Sequence, residues 1–196
     1  MSIKHTKLIY EYPDVCSLNQ CQEILSLIKS SKKYEDCMQE SHPRTKIRNN
    51  SAFNISFHAM FDESLKKADD FIHQIFSKIH LDYITNNPNY FILKGAEHLY
   101  NLSCSYTYRE YTKNDYYDWH IDSSPTSQLV FSYILYLNED FIGGDTLFLH
   151  QRIKVKPKIG SMLCFPCDLG MVHKSSKIQE GEKNIIWTCM EHKLTH

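Results

Sequence analysis

The hydrophobic periodicity of the chain changes once, near residue 99, and this change limits the possible folds more than any other feature. Before it, two amphipathic helices are predicted. In "CSLNQCQEILSLIKSSKK", Ser17 and Gln20 take capping-box positions, and in "DESLKKADDFIHQIFSKIHL" Asp62 is the predicted N-cap. The predicted core-facing stripes are Leu18, Cys21, Ile24, Leu25 and Ile28 in the first helix, and Leu65, Ala68, Ile72, Ile75, Phe76 and Ile79 in the second.

After residue 99 the period falls to two, and short β-rich runs alternate with turn signals such as "IGGD", "PKIG", "CDLG" and "QEGE". Helices followed by many short strands favour an α+β domain, in which the helices buttress a β-sandwich or jelly roll. We therefore predict a single domain over residues 1–196. Residues 1–98 are expected to give mainly helical support, and residues 99–192 the jelly-roll core.

Composition and charge exclude several classes of protein. The chain has 196 residues, is 42% hydrophobic and has only 6 Gly and 6 Pro, which suits one compact domain. A net charge of -1 argues against general nucleic-acid binding. Seven cysteines, an odd number, fit reduced thiols better than a disulfide framework. No leader-like segment and no apolar run of about 18 residues is visible, so we expect a soluble, cytoplasmic protein with no membrane partner.

Two His-x-Asp triplets stand out as candidate halves of a metal site. His80-Leu81-Asp82 lies in the second predicted helix, where residues i and i+2 point about 200° apart and cannot converge on one ion. His120-Ile121-Asp122 lies in the β-rich part, within "YYDWHIDSSP". Residues i and i+2 of a strand share a face, so His120 and Asp122 are expected to project side by side.

A third ligand has to come from elsewhere in the chain. The downstream histidines are His150, His173, His192 and His196. Of these, His173 in "MVHK" follows a turn, from which a facing sheet could bring it across. Two histidines and one carboxylate make the facial triad that holds non-haem Fe(II). The alternative is that each histidine is an ordinary strand residue satisfied by its neighbours.

Lys183 follows His173 by ten residues and begins the run "KNIIWTCM". The order of His-x-Asp, "YLNEDFIGGDT", "GSMLCFP", His173 and Lys183 resembles the 2-oxoglutarate and Fe(II)-dependent dioxygenases, specifically their prolyl 4-hydroxylase-like branch and related bacterial and phage hydroxylases. The resemblance covers roughly residues 99–192. More weakly, "VCSLNQCQEILSLIKSS" resembles the opening helix of the family, and "RNNSAF" its first strand region. The spacing alone leaves a second interpretation open, in which Lys183 is an ordinary lysine of an edge strand.

The resemblance implies a double-stranded β-helix, the jelly-roll fold, and a set of site residues. His120, Asp122 and His173 would bind Fe(II), and Lys183 would pair with the distal carboxylate of 2-oxoglutarate, where many relatives use arginine. A lysine offers a compact charge rather than a fork, so hydroxyl partners are needed to orient the carboxylate. The resemblance supplies three further cosubstrate contacts: Tyr111, Thr146 and Tyr136. Core packing remains the alternative for Tyr136.

Other residues have less certain roles. Gly143 and Gly144 are interpreted as a tight hairpin connection with positive φ that lets Thr146 enter the pocket. Arg109 and Trp187 are candidate substrate contacts, with a solvated strand charge as the alternative for Arg109. The aromatic residues available to line the pocket are Trp119, Trp187, Phe148 and Phe165, and ordinary core packing explains each equally well. Cys164 and Cys167 have C-x-x-C spacing, but we interpret them as two reduced cysteines because no second zinc knuckle is present.

The resemblance implies that Fe(II), 2-oxoglutarate and O2 are used, with ascorbate as a candidate reductant. The implied reaction hydroxylates an unactivated C–H bond and converts 2-oxoglutarate to succinate and CO2. A prolyl residue of a peptide or protein is the leading substrate. The alternatives are the same chemistry on a free amino acid, another small molecule or an alkylated base, and a non-catalytic jelly-roll binding module. Nothing in the sequence gives the oligomeric state.

Overall fold

The structure, a computed structural model, describes residues 2–6, 8–34, 47–86, 100–102, 105–123 and 129–192, with the backbone alone for residues 100–102, 191 and 192. The α-helices in these ranges are α1 (Leu18–Lys29), α2 (Ile55–His58) and α3 (Glu63–Asn86). The strands are β1 (Ile3–Lys4), β2 (Tyr10–Tyr12), β3 (Arg48–Asn49), β4 (Ser51–Asn54), β5 (Tyr100–Leu102), β6 (Thr107–Tyr111), β7 (Tyr116–His120), β8 (Leu129–Tyr136), β9 (Ile142–Gly143), β10 (Thr146–Phe148), β11 (Ile153–Val155), β12 (Met162–Pro166), β13 (His173–Ser175), β14 (Ile178–Glu180) and β15 (Lys183–His192).

Two antiparallel sheets form the β-part of the molecule. The larger has the order β1-β2-β12-β8-β15-β6-β4, with β5 paired to β15, and the smaller has the order β11-β10-β13-β7-β3. A two-stranded pair, β14-β9, lies beside them. One hydrophobic cluster joins inward-facing residues of the two main sheets, among them Tyr111, Ile134 and Ile185 from the larger and Phe148 from the smaller. The architecture is the predicted jelly roll.

The helices cover the other face of the larger sheet. Along β8, Tyr133 and Leu135 belong to the helix-facing cluster, whereas Ile134 and Tyr136 belong to the cluster between the sheets. This alternation follows from the two-residue period of a strand, so both faces of β8 are buried. The predicted buttressing by helices is therefore observed. Among the described residues, no helix is both long enough and apolar enough to span a membrane.

The predicted helix starts are confirmed by hydrogen bonds. The backbone N–H of Gln20 donates to the Ser17 hydroxyl (3.3 Å), and the Ser17 N–H donates to the Gln20 side chain (2.8 Å). The N–H of Leu65 donates to Asp62 (3.0 Å). All six stripe residues of α3 are buried, but Leu18 in α1 is 55% exposed. The prediction that Leu18 faces the core was therefore wrong: Leu18 is the first residue of α1 and lies outside the buried cluster. Leu25, also predicted to face the core, is partly buried.

The first 98 residues contribute more than helices. Strands β1 and β2 extend one edge of the larger sheet, β4 forms the opposite edge, and β3 joins the smaller sheet. In the described part of residues 1–98, these short strands are present in addition to the predicted supporting helices. These short strands pair with residues far away in the sequence, such as Phe53 with Tyr108. A local sequence pattern therefore does not predict them.

The prediction for Gly143 and Gly144 holds only in part. Both residues have positive φ, at 89° and 68°. They do not make a hairpin, however, because β9 pairs with β14 while β10 pairs with β11 and β13. The glycines instead pass the chain from one sheet to another, and this passage brings Thr146 to the pocket side of β10.

Candidate active site

Three side chains of the predicted metal triad converge. His120 is the last residue of β7 and lies directly opposite His173, the first residue of β13. Asp122 follows β7 by two residues. One ligand atom from each of the three side chains lies within 4.8 Å of the others. Nε2 of His120 is 3.5 Å from Oδ1 of Asp122, and Nε2 of His173 is 3.7 Å from Oδ2.

Backbone carbonyls orient both imidazoles. Nδ1 of His120 donates to the carbonyl of Asp118 (2.7 Å), and Nδ1 of His173 donates to the carbonyl of Met171 (3.0 Å). A carbonyl oxygen can only accept, so each Nδ1 carries a hydrogen, and in the neutral imidazole Nε2 then keeps its lone pair. Both lone pairs therefore belong to the nitrogens that face Asp122, which is the tautomer that metal ligation requires.

The charge state of the three groups also suits a cation. Burial raises the pKa of the Asp122 carboxyl, but the neighbouring imidazoles and the hydroxyl of Ser132, which donates to Oδ2, outweigh this effect and hold the pKa below its ordinary value. Burial lowers the pKa of His173 and favours its neutral form. Two imidazoles and one carboxylate are the donor set of the facial triad of non-haem Fe(II).

Aromatic rings pack around the two histidines. The ring of Tyr117 stacks on His120, with centroids 3.5 Å apart and planes 9° apart. Phe165 packs edge-on against His173 at 4.7 Å, and Phe148 lies 5.8 Å from the same ring. These contacts hold the imidazoles in place, so Phe148 and Phe165 act as packing behind the site rather than as pocket walls.

Lys183 lies in the same pocket with its ammonium buried. The residue is 2% exposed, and Nζ donates to the carbonyl of Gly144 (2.6 Å) and to the hydroxyl of Ser175 (3.0 Å). Nζ also lies over the rings of Tyr111 (5.2 Å) and Tyr136 (5.6 Å). No carboxylate of the described residues comes within 4.0 Å of it, and burial lowers its pKa from 10.5 to about 7. The charge of Asp145 opposes this shift from beyond ion-pair distance. A buried ammonium with one donor unused and no carboxylate of the described residues in direct contact is suited to receive an anion.

The predicted hydroxyl partners of Lys183 lie close by. Tyr111 is its cross-strand partner and is 2% exposed. Thr146 and Tyr136 share a hydrogen bond of 2.9 Å. Thr146 and Tyr111 line the pocket, whereas Tyr136 lies behind Thr146 and does not line it. Among the described residues, the pocket is lined by Arg109, Tyr111, Tyr117, His120, Asp122, Ile134, Thr146, His173, Ser175, Lys183, Ile185 and Trp187.

Several other sequence predictions can now be compared with the structure. Trp187 lines the pocket as predicted, but Trp119 is 37% exposed and does not. Arg109 lines the pocket and is 9% exposed. The alternative interpretation of Arg109, as a strand charge exposed to solvent, was therefore wrong. Cys164 and Cys167 are buried free thiols, and burial raises the pKa of both, as expected for structural cysteines.

The alternative histidines do not join the triad. His150 is exposed in the turn after β10. His80 is buried and bonded to the hydroxyl of Tyr133 (2.6 Å), while Asp82 is exposed on the other side of α3. The triplet His80-Leu81-Asp82 is therefore not a metal site, as predicted. The side chain of His192 and the whole of His196 lie outside the described residues.

Sequence reasoning gave no site role to five lining or supporting residues, although strand alternation places two of them, Ser132 and Ile134, on the same face as Tyr136; the other three are Tyr117, Ser175 and Ile185. Ser175 follows His173 by two in β13, so strand alternation could have placed it on the same face. The same rule applies to Ile185 after Lys183. Tyr117 could not be found in this way, because the register of β7 and β13 shifts beside it.

Comparison with known proteins shows which family and which solved structures the chain resembles. The model of the 2OG-Fe(II) oxygenase superfamily matches residues 106–190. A viral collagen prolyl hydroxylase from Paramecium bursaria Chlorella virus-1, solved with 2OG, is 19% identical, with a TM-score of 0.66 over 95% of this chain and 97% of that one. A Pseudomonas putida prolyl-4-hydroxylase is 17% identical (TM-score 0.67, covering 95% and 93%). No curated protein matches the chain.

A third structure broadens the comparison. A Trichoplax adhaerens prolyl hydroxylase, solved with a peptide fragment of the hypoxia inducible factor oxygen degradation domain, is 15% identical, with a TM-score of 0.71 over 95% of this chain and 84% of that one. The chain therefore has the fold of the prolyl hydroxylases, and its residues 106–190 resemble the 2OG-Fe(II) oxygenase superfamily, whose members are 2-oxoglutarate-dependent dioxygenases. Enzymes of this class use Fe(II), 2-oxoglutarate and O2, and the donor set of the triad fits the iron.

Proposed function

We propose that the chain hydroxylates a prolyl residue of a peptide or protein, with conversion of 2-oxoglutarate to succinate and CO2. The observation that carries the proposal is a facial triad and an unpaired buried ammonium in one pocket. The proposed reaction requires both the triad and the Lys183 ammonium. The triad leaves coordination positions open, and Lys183 supplies the positive charge for a dicarboxylate that occupies them.

Each residue has a proposed role. His120, Asp122 and His173 hold Fe(II), which with 2-oxoglutarate and O2 supplies the oxidation. Lys183 binds the distal carboxylate of 2-oxoglutarate, and the hydroxyls of Tyr111 and Thr146 orient it. Additional support comes from Ser175, which already accepts a hydrogen bond from Lys183, and from Tyr136, which fixes the Thr146 side chain.

We choose a prolyl substrate because of the fold shared with prolyl hydroxylases and because of the lysine at position 183. Two of the matched structures support a polypeptide substrate: one is named a viral collagen prolyl hydroxylase, and the Trichoplax adhaerens prolyl hydroxylase was solved with a peptide fragment. Lys183 stands where many relatives use arginine, and lysine is the collagen-type variant. The intact triad disfavours a non-catalytic binding module, and the net charge of -1 disfavours an alkylated nucleic acid.

We also propose that residues 1–196 act as one domain. The support is the sheet order, since β2 lies next to β12 and β4 next to β6. Separating the first 98 residues would expose both edges of the larger sheet.

The direct test is succinate release by the purified protein with Fe(II), 2-oxoglutarate and ascorbate, against proline-containing peptides, free amino acids and methylated DNA. We expect succinate release to be stimulated by peptides, with mass spectrometry showing one added oxygen on proline. His173→Ala is expected to abolish it, and His150→Ala, which changes an exposed histidine, is the control. If only free amino acids stimulate succinate release, the proposed peptide substrate is wrong and a free amino acid takes its place. If no succinate forms under any condition, the proposal of an enzyme is overturned.

A further inference from the structure

Arg109 is a second buried cation in the pocket, and the proposed chemistry does not use it. The residue is 9% exposed and lines the pocket with the triad. Its guanidinium carbon lies 4.7 Å from the Trp187 ring centre and 5.5 Å from that of Tyr117. Two aromatic faces thus hold the planar group, and only its edges remain available for hydrogen bonds.

In the described part of the chain, no carboxylate balances the charge of Arg109. No carboxylate of the described residues lies within the 4.0 Å ion-pair distance of its side chain, and Nε is buried without a hydrogen-bond partner in the same part of the chain. The neighbouring hydroxyl of Tyr111 interacts with the guanidinium but is neutral. Arginine keeps its proton even when buried, so an unpaired guanidinium at this depth is costly unless a ligand brings an anion.

The position of Arg109 separates it from the cosubstrate end of the pocket. In the antiparallel pair of β15 and β6, Lys183 lies opposite Tyr111 and Ile185 lies opposite Arg109. Arg109 is therefore two residues along the strand from the position opposite Lys183. Two residues of a strand span roughly 6.6 Å. Tyr117, one of the two rings that hold the guanidinium, stacks on His120. Arg109 therefore lies beside the triad, towards the half-buried Trp187 and away from Lys183.

We propose that Arg109 is a specificity-determining residue that binds a carboxylate of the substrate, so the substrate carries a carboxylate near the C–H bond that is hydroxylated. This inference rests on the proposed function and narrows its substrate class. A guanidinium edge matches a carboxylate through two parallel hydrogen bonds. The carboxylate can belong to a C-terminal proline, to an acidic residue next to proline, or to a free amino acid, because all three present the same group.

The experiment compares matched acids and amides in three pairs: N-acetylproline with its amide, peptides with Asp or Asn next to proline, and free proline with prolinamide. The ratio of kcat/KM for acid over amide is measured in wild type, Arg109→Met, Arg109→Lys and the control Arg152→Met, which changes an exposed arginine. In at least one pair we expect wild type and the control to favour the acid by at least about tenfold, as the loss of a charged hydrogen bond implies. The ratio should approach one in Arg109→Met and be intermediate in Arg109→Lys.

Two results would overturn the inference. One is equal use of acid and amide by wild type in all three pairs. The other is a preference that survives in Arg109→Met while the KM for 2-oxoglutarate rises, which would assign Arg109 to the cosubstrate. Substrate-independent succinate formation by wild type tests the oxygenase chemistry separately, so failure of the preference alone leaves the proposed function intact. Circular dichroism and Tm of both variants exclude unfolding as the cause of a lost preference.

Discussion

His173 lies directly opposite His120 in the antiparallel pair of β13 and β7, and their ring centroids are 4.2 Å apart. The two residues are far apart in the sequence, so the smaller sheet itself brings the ligands together. On its other edge β13 pairs with β10, where Phe148 lies opposite His173, so β13 is held between two strands, which limits how far this imidazole can move. The triad is therefore organised by the fold before any metal binds.

Removing one imidazole should remove the metal site. His173→Ala is expected to weaken Mn(II) binding, used as a redox-stable substitute for Fe(II), by more than the 10–100-fold typical of residues that only support a ligand. Calorimetric titration measures this. His150→Ala, which changes an exposed histidine in a turn, should bind Mn(II) as wild type does. Equal loss in both variants would show that the effect is not specific to the triad.

Ser132 should matter for metal affinity although it is not a ligand. Its hydroxyl donates to Asp122 and accepts a hydrogen bond from the Trp187 indole (3.1 Å). Ser132→Ala leaves the carboxylate free to rotate, so we expect metal affinity to fall about 10–100-fold, with measurable activity at saturating metal. Ser161→Ala is the matched control, since Ser161 is equally buried but donates to the Lys158 carbonyl away from the site. Unchanged affinity in Ser132→Ala would contradict this role.

The affinity for 2-oxoglutarate should depend on pH through Lys183. Burial lowers its pKa to about 7, so the ligand-free protein loses this positive charge as the pH rises above 7. The dicarboxylate requires the charged form, and affinity should therefore fall by up to about tenfold per pH unit above 7. Equilibrium dialysis with labelled 2-oxoglutarate measures the slope. Lys183→Met should bind weakly with a flat profile, whereas Lys156→Met, an exposed control, should keep the wild-type slope.

The same buried ammonium should destabilise the ligand-free protein. The unfolded chain holds the Lys183 proton up to its ordinary pKa of 10.5, and the folded chain releases it near pH 7. The unfolded state thus binds more protons between these values, and the free energy of unfolding rises with pH in this window, by up to about 1.4 kcal/mol per unit from this group. Urea unfolding of Lys183→Met at pH 7 should show higher stability than wild type, with the difference shrinking towards pH 9. A less stable variant at pH 7 would contradict the prediction.

Gly144 should be intolerant of a side chain. Its φ is +68°, and an added Cβ would lie 2.6 Å from Cδ1 of Ile178 and 3.0 Å from Cδ of Lys183. Gly144→Ala is therefore expected to lose at least about 1–3 kcal/mol of stability and to weaken 2-oxoglutarate binding, because the Gly144 carbonyl accepts from Lys183. Gly170→Ala is the control, since φ there is not positive and the added atom meets only the Asp168 side chain. Thermal unfolding and dialysis measure the two effects.

Local patterns in the sequence predicted the parts of the fold that local physics determines. The capping residues Ser17 and Asp62 are visible in the sequence because each bonds to a backbone group three residues away. The inward face of β15 follows from alternation, which places Lys183 and Trp187 in the pocket. The convergence of His173 with His120 was inferred from motif order alone, since no local rule fixes a contact between distant strands.

Other features depend on pairings that no local pattern encodes. The hairpin predicted at Gly143 and Gly144 failed because the partner of β9 is β14, which comes much later in the chain. The stacking of Tyr117 on His120 depends on a register shift between two strands. The unpaired charge of Arg109 also became visible only in three dimensions, since the sequence allowed a solvated position equally well.

The central claim is that the triad and Lys183 form one site that binds metal and cosubstrate together. Anaerobic titration of Fe(II) and 2-oxoglutarate, followed by the visible charge-transfer absorption of their chelate, tests it most directly. The account predicts a saturable band in wild type, no band in His173→Ala, and a band in Lys183→Met only at much higher 2-oxoglutarate concentration. Absence of the band in wild type, or a Lys183→Met titration that matches wild type, would contradict the account.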